Sequence, residues 1–291
     1  MRKKKSPKED YLSEGRRLSR AGRYPGAIVS LTRAISFDRK CFEAYYLRGM
    51  AHFSLENYEQ AIDDLGRMIE IFPNFSSEPY NIRGLCFYAI KEYEQAVNEF
   101  TKAIELKPTQ EDYYINRGLA YIPLIEYELA IKDFNRVMRS NPNNPVPYYC
   151  RGRLYVELKA FPAALEEFNK AININEEYLD ARRMRGITFY LMHKYKQAIK
   201  ELNRVIGADE NDKKAYFYRG AAHYHLEHFH WAIDDLNHAI GSHSDFAEIF
   251  KYRGLAHEMV GEEEEATADF ITANELDKVG PKYHNQIIFF S

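Results

Sequence analysis

The histidines are the first residues whose spacing could support chemistry. Seven of the ten lie between residues 223 and 257, and the stretch HYHLEHFHW carries His223, His225, His228 and His230. A zinc ion needs three or four ligands that converge on one point, and on a helix His225 and His228 could share a face. Two histidines on one face are fewer than a zinc site needs, so the spacing predicts no metal site. It favours a local sensitivity to pH.

A second candidate chemistry rests on arginines that stand directly before a glycine. Seven such arginines are each followed sixteen residues later by an acid: Arg48 and Asp64, Arg83 and Glu99, Arg117 and Asp133, Arg151 and Glu167, Arg185 and Glu201, Arg219 and Asp235, and Arg253 and Asp269. Arginines in register could bind phosphate groups. Because every arginine has its own acid, the pattern instead predicts structural ion pairs, between two helices or between adjacent repeats.

Enzymatic chemistry finds no support among the motifs of the sequence. The chain holds no glycine-rich phosphate loop, no HExxH and no GxSxG, the patterns that bring reactive groups together in common enzyme classes. We therefore expect no catalytic residues, no cofactor and no enzymatic activity. A module that presents substrates to a separate enzyme remains a less favoured alternative.

Composition and charge narrow the classes of partner and the compartment. The net charge is -3 at pH 7, whereas a nucleic-acid-binding domain is usually much more basic. No apolar run reaches the roughly 18 residues of a membrane span, so we expect neither nucleic acid nor a membrane as a partner. Three scattered cysteines without a CxxC motif favour a reducing compartment. The basic start MRKKKSPKED lacks the apolar region of a secretory signal.

The arginine–acid pairs and the histidine-rich stretch lie in a repeat with a period of about 34 residues. Glycines recur with spacings of 34 or 35, at Gly15, Gly49, Gly84, Gly118, Gly152, Gly186, Gly220 and Gly254. An alanine follows each glycine after twelve residues, at Ala27, Ala61, Ala96, Ala130, Ala164, Ala198, Ala232 and Ala266. Internal repetition at this period indicates a solenoid.

Each repeat reads as two helices joined by a turn. In one repeat Tyr114, Gly118 and Tyr121 have the spacing of a helical stripe, and Ala130 and Phe134 begin a second one. The small glycine and alanine let the two helices approach closely. An aromatic residue three positions before the alanine is expected to close the pair at its turn, at Tyr24, Tyr58, Tyr93, Tyr127, Phe161, Tyr195 and Phe229.

This order of residues resembles the tetratricopeptide repeat, whose signature is aromatic, glycine and aromatic, then alanine, a large apolar residue, a small residue and proline. One unit carries it as Tyr114, Gly118, Tyr121, Ala130, Phe134, Val137 and Pro142. The resemblance implies an all-α fold, a right-handed superhelical solenoid of antiparallel helix pairs. It places a basic tail at 1–7, an apolar tail at 281–291, and eight units between them at about 8–41, 42–75, 77–110, 111–144, 145–178, 179–212, 213–246 and 247–280.

The resemblance also implies a concave groove lined by the first helix of each unit. The helix positions that do not pack inside are rich in tyrosine, phenylalanine and aliphatic residues, which favours contact with a partner; packing between neighbouring helices is the alternative. The predicted partner-binding residues are Tyr46, Met50, Phe53, Asn81, Leu85, Tyr88, Asn116, Leu119, Tyr149, Arg153, Arg183, Tyr190, Lys214, Phe217, Tyr218 and Tyr224.

One subclass of the family binds the acidic C-terminal tails of the Hsp70 and Hsp90 chaperones through a clamp of lysine, asparagine and arginine. The sequence departs from that clamp. Lys251 is accompanied by Leu255 instead of asparagine, and Asp180 and Met184 stand where lysine and arginine are required. We therefore expect no chaperone-tail clamp.

Taken with the resemblance, the sequence predicts a non-catalytic scaffold or adaptor that binds peptide or helical segments of other proteins. The expected location is the cytoplasm, and a nuclear or ciliary pool is left open; the basic run at the N-terminus could act as a nuclear address. The alternative is a structural subunit of a larger assembly, such as a ciliary or transport complex, that uses its outer and terminal surfaces.

Overall fold

The computed structural model describes residues 6–74, 76–241 and 246–279, and within these ranges all regular secondary structure is α-helical. The predicted all-α fold class is confirmed. The predicted apolar tail at 281–291 lies outside the described residues, as does most of the predicted basic tail at 1–7. Ser6 is described, and its side chain caps the first helix in a capping box with Glu9.

Two compact units make up the chain, Met1–Ser140 and Asn141–Ser291. The helices of the N-terminal unit are α1 (Pro7–Arg20), α2 (Tyr24–Phe37), α3 (Phe42–Ser54), α4 (Tyr58–Ile71), α5 (Glu78–Ala89), α6 (Tyr93–Leu106), α7 (Glu111–Tyr121) and α8 (Tyr127–Ser140). Those of the C-terminal unit are α9 (Val146–Glu157), α10 (Phe161–Ile174), α11 (Leu179–Leu191), α12 (Tyr195–Ala208), α13 (Lys213–His225), α14 (Phe229–Ala239), α15 (Ala247–Val260) and α16 (Glu263–Val279).

Each odd-numbered helix packs against the even-numbered helix that follows it, and the repeated glycine lies at the contact. A Cβ atom added to Gly118 would lie 2.6 Å from Cε1 of Phe134, and one added to Gly15 would lie 2.6 Å from Cγ of Leu31. Phe134 and Leu31 are fully buried. The glycine therefore allows a large residue, sixteen positions later in the chain, to fill the space between the two helices.

The turn within a pair has one conformation throughout. The seventh residue after the repeated glycine has a left-handed backbone, with φ of +69° at Gly22 and +84° at Gly261. In six pairs a residue other than glycine takes this conformation, at Glu56, Lys91, Ile125, Lys159, His193 and Glu227. The next helix then begins at the predicted turn aromatic, as α4 does at Tyr58, and left-handed residues of this kind terminate the preceding helix.

Odd-numbered helices also contact the next odd-numbered helix within the same unit, α1 with α3 through to α5 with α7, and α9 with α11 through to α13 with α15. They therefore lie on the inner side of each unit. We call the surface that these odd-numbered helices leave uncovered within one unit its inner face. The core between the odd-numbered and the even-numbered helices contains the repeated alanines and large residues such as Phe100 and Phe168, all of which are buried.

Candidate partner-binding site

The seven arginine–acid pairs of the sequence are ion pairs in the structure. Arg117 donates to Asp133 through Nε and Nη2, both at 2.8 Å, and Arg48 binds Asp64 in the same bidentate way at 2.8 and 2.7 Å. The remaining pairs, with N–O distances of 2.5 to 2.7 Å, are Arg83–Glu99, Arg151–Glu167, Arg185–Glu201, Arg219–Asp235 and Arg253–Asp269. Each bridge joins the odd helix of a pair to its even helix.

The same arginines also reach the preceding pair of helices. Arg117 Nη1 donates to Thr101 Oγ1 at 3.1 Å, and Arg48 Nη1 donates to Thr32 Oγ1 at 2.8 Å. Asparagine takes the threonine's place in Arg185–Asn169, Arg219–Asn203 and Arg253–Asn237, each at 2.7 Å. The accepting residue lies sixteen positions before the arginine, so one guanidinium ties three helices together. The residue that accepts this bond from the arginine was not identified from the sequence. The polar residue that recurs sixteen positions before the arginine could have indicated it.

An aromatic ring three residues earlier on the same helix also contacts several of these arginines. The guanidinium carbon of Arg219 lies 5.3 Å from the ring centre of Tyr216, and that of Arg117 lies 5.8 Å from the ring of Tyr114. Hydrogen bonding to Asp133 raises the pKa of Arg117 despite its partial burial. Because Arg117 contacts a carboxylate, a hydroxyl and an aromatic ring of its own unit, its role is structural.

The predicted binding residues of the N-terminal unit lie on its inner face and are all half-buried, namely Tyr46, Met50, Phe53, Asn81, Leu85, Tyr88, Asn116 and Leu119. Two of the aromatic rings contact the turn aromatic of their own pair. Phe53 lies 6.1 Å from Tyr58 and Tyr88 lies 5.4 Å from Tyr93, both edge to face. Asn116 Nδ2 donates to Asn81 Oδ1 at 2.9 Å. These contacts fix the rings and amides while leaving part of each side chain exposed.

The inner face of the C-terminal unit differs from residue to residue. Tyr149, Arg153, Arg183, Tyr190, Lys214 and Tyr224 are half-buried. Phe217 and Tyr218, by contrast, are only 6% and 4% exposed. Phe217 packs edge to face on Phe246 at 5.1 Å. These two residues therefore belong to the core of the unit and offer no surface for a partner, which is where the structure departs from the predicted set.

A group of aromatic side chains extends along this inner face. Tyr190 and Tyr252 share a hydrogen bond of 2.8 Å between their hydroxyls, and the ring of Tyr190 lies 5.4 Å from that of Tyr218. Burial, followed by the bond to Tyr252, raises the pKa of the Tyr190 hydroxyl. Tyr252 was not among the predicted residues, because the sequence does not show which ring of the next helix reaches the hydroxyl.

Charged residues on the same face form a mixed cluster. Arg183 is bound by two carboxylates, those of Asp180 and Asp212. Lys214 has its pKa lowered, first by burial and then by the positive charge of Arg183. The guanidinium carbon of Arg153 lies 5.5 Å from the ring centre of Tyr149. Arg183 and Arg153 are therefore held in place by carboxylates and an aromatic ring of their own unit.

The histidines form contacts with one another and with aromatic rings. His223 Nδ1 lies 3.3 Å from His228 Nδ1, and Trp231 packs edge to face against both rings. Burial lowers the pKa of His223, with an opposing effect from Asp235. His225 stacks on Tyr195 at 4.7 Å. In the part of the chain that the structure describes, no three histidine, cysteine, aspartate or glutamate side chains come together as a metal site requires.

The cysteines and the helix lengths carry further information. Cys41, Cys86 and Cys150 are buried free thiols, and burial raises the pKa of Cys86 and of Cys150 to about 12, so neither is an activated nucleophile. Among the described helices, none combines the length and the apolar character that a membrane-spanning segment needs.

Comparison with known proteins connects this arrangement to a family. Models of the tetratricopeptide repeat match residues 42–75, 84–122 and 111–144. A solved tetratricopeptide repeat protein from Parabacteroides merdae is 21% identical with a TM-score of 0.64, over 85% of this chain and 95% of that one. A comparison with curated proteins finds no match.

Two further solved structures share the fold at lower identity. YrrB, described as a TPR protein with an unusual peptide-binding site, is 20% identical with a TM-score of 0.53, over 59% of this chain and 88% of that one. A chain of the Cut9–Hcn1 hetero-tetramer of the APC/C is 14% identical with a TM-score of 0.61, over 90% of this chain and 48% of that one. At these identities the likeness concerns the fold alone.

Proposed function

This chain is a member of the tetratricopeptide repeat family, and we propose on that premise that it is a non-catalytic scaffold that binds segments of other proteins on its inner faces. The observation that carries the proposal is the row of half-buried aromatic and aliphatic side chains on the odd-numbered helices, such as Tyr88 and Tyr190. Their own units fix these rings through edge contacts, Tyr88 with Tyr93 and Tyr190 with Tyr218, so a partner would meet a preorganised surface.

The arginines of the seven ion pairs support the same proposal, because their contacts argue against phosphate binding as an alternative function. A phosphate-binding role would require guanidinium groups that face solvent with donors to spare. Arg117 and its equivalents bind a carboxylate of their own pair. A threonine or asparagine of the preceding pair also binds Arg48, Arg117, Arg185, Arg219 and Arg253. The repeated arginines are therefore part of the fold, and the aromatic, aliphatic and amide side chains that the inner faces expose are of the types found in protein-binding surfaces.

An experiment on the inner face tests the proposal. Affinity purification with mass spectrometry, with the wild-type chain beside Tyr88→Ala/Tyr190→Ala, is expected to show loss of partner proteins from the variant. The matched control, Leu129→Ala/Trp231→Ala, removes large side chains on even-numbered helices that are 39% and 59% exposed, and should keep the partners. Circular dichroism of each variant verifies the fold. Equal capture by wild type and inner-face variant would refute the proposal.

The second candidate function is a structural subunit of a larger assembly that uses outer surfaces. Its specific support is Trp231, which is 59% exposed on α14 and borders a cavity of about 280 Å³ together with His228 and Val260. Exposed tryptophan is enriched among the residues that carry interface energy. Under this function, the Leu129→Ala/Trp231→Ala variant would lose partners and the inner-face variant would keep them.

A further inference from the structure

We propose that the N-terminal unit contains a pocket for a peptide segment that combines a carboxylate with a neighbouring large apolar side chain. The inference rests on the proposed function and adds a ligand chemistry to it. The pocket lies on the inner face between α1 and α3 and has a volume of about 450 Å³. Cavities that hold small ligands usually begin at about 300 Å³, so one apolar side chain and the adjoining backbone fit.

The apolar side of the pocket is formed by α3 and α4. Phe42, Tyr46 and Leu47 contribute from α3, and Met68 contributes from α4. Phe42 is held by Phe72, whose ring centre lies 5.1 Å away, and Met68 is almost fully buried. These residues form a surface that a leucine-sized or phenylalanine-sized side chain would cover.

The opposite side is cationic and is formed by the last turns of α1. Arg16 and Arg20 lie four residues apart on one face of the helix and both line the pocket. Arg16 is paired with Glu43, whereas Arg20 is exposed and has no ion pair with any residue that the structure describes. Two arginines and one glutamate leave a net positive charge beside the apolar surface, which is complementary to a carboxylate.

A third group could engage the backbone of the bound segment. The Oγ atom of Ser19, which also lines the pocket, is shielded from solvent and has no hydrogen-bond partner among the described residues. A buried hydroxyl without a partner is costly. A ligand amide or carbonyl that bonds to it would remove this cost on binding.

The arginine pair is particular to the first repeat. At the same two positions, one and five residues after the repeated glycine, the second repeat has Met50 and Ser54, and the third has Leu85 and Ala89. The combination of cations and apolar residues thus arises at one place on this face. A peptide C-terminus beside an apolar residue and an internal aspartate or glutamate beside one would supply the same chemistry.

The test uses the full chain labelled with ¹³C-methyl methionine. Met68 reports on the pocket, and Met138 in α8, which does not line it, is the internal reference; Met68→Leu assigns the signal. Three acetylated probes are titrated: Gly-Ser-Gly-Leu with a free C-terminus, the same peptide as its amide, and Gly-Ser-Asp-Leu-Gly as its amide. We expect a saturable shift of the Met68 signal with the first or the third probe, which identifies the carboxylate source, and none with the second.

Variants establish the role of the cation. Arg20→Ala should weaken binding about tenfold, the loss of one charge-assisted contact. Arg17→Ala, an exposed arginine of the same helix outside the pocket, should leave it within about twofold. The inference is overturned if neither acidic probe shifts Met68 at about 5 mM, if the neutral amide binds equally well, or if Arg17→Ala weakens binding as much as Arg20→Ala. If the pocket fails while partner capture depends on Tyr88 and Tyr190, the proposed function still stands.

Discussion

Arg117 shows how a single residue type organises this molecule. It bonds to Asp133 in its own helix pair and to Thr101 in the preceding pair, and it packs on the ring of Tyr114. Asp133 is buried while Arg117 is partly exposed. Removal of the arginine should therefore be strongly destabilising, since it leaves the buried carboxylate charge without a partner.

A double-mutant cycle at this pair gives the first prediction. Arg117→Met should lower the free energy of unfolding by about 3 kcal/mol, because it strands the Asp133 carboxylate in the interior. The double variant Arg117→Met/Asp133→Leu should cost less than the two single changes combined, with a coupling energy above about 1 kcal/mol. Urea denaturation measures all four proteins. Strictly additive changes would contradict the assignment of a coupled, buried pair.

The sequence could predict these pairs because their sixteen-residue spacing recurs with the repeat. It could not predict that Phe217 and Tyr218 are core residues, because burial at these two positions varies between repeats. At the position of Phe217, Tyr149 is half-buried whereas Ile115 is buried. The burial of Phe217 and Tyr218 depends on rings of other elements, such as Phe246 against Phe217. Aromatic character alone does not distinguish a ring that packs within the unit from one that remains accessible.

At the scale of helices and turns, close approach at the repeated glycine determines how a pair packs. The large residue opposite it is fully buried in the first seven pairs, as Leu65 and Phe100 are. Phe270 of the last pair is 37% exposed. The helices and their pairing were predictable, because each period of about 34 residues contains two amphipathic segments joined by a short turn. Such segments bury their apolar faces against each other. The side on which each helix leaves surface uncovered required the three-dimensional structure.

The second prediction compares two glycine-to-alanine changes. Gly118→Ala would place a methyl group 2.6 Å from Cε1 of Phe134, and this overpacking should cost about 1–3 kcal/mol. Gly207→Ala is the control, because Gly207 lies in α12 and a methyl group added there would meet no atom within 4 Å beyond the adjoining residues and the backbone of its own helix. It should stabilise the chain by up to about 1 kcal/mol. Thermal unfolding reports both. A neutral Gly118→Ala would show that close approach at this glycine is not needed.

The turn of the fourth pair gives the third prediction. Ile125 has a left-handed backbone with φ of +63°, a conformation that is strained for a β-branched residue, and its side chain is 73% exposed. Ile125→Gly should therefore raise the free energy of unfolding by about 0.5–1 kcal/mol, as Gly22 and Gly261 suit the equivalent turns.

The control for Ile125→Gly is Ile125→Val, which retains the branched side chain and should leave the free energy of unfolding nearly unchanged. Both variants are compared with the wild type by urea denaturation. A lower stability of Ile125→Gly than of the wild type would show that the loss of chain entropy outweighs the relief of strain.

At the scale of the whole molecule, the described residues form helix pairs. The repeated glycine lies at the contact within a pair, and within each unit arginines such as Arg117 and Arg219 also bind the preceding pair. Each contact joins residues close in sequence, so stability is expected to spread along neighbouring pairs. The partner is not encoded in this framework, because the residues that repeat are those that build the fold. The residues that vary, such as Tyr88 and Met50 on the odd-numbered helices, are those that specificity can use.

Site-specific photo-crosslinking tests the central claim most directly. A photoreactive phenylalanine analogue replaces Tyr88 or Tyr190 on the inner faces, and Leu129 or Trp231 on the even-numbered helices, in the cells that express the protein. If inner faces bind partner segments, irradiation should produce discrete covalent adducts at Tyr88 and Tyr190 and few at the other two positions. Adducts confined to Leu129 and Trp231 would contradict the account.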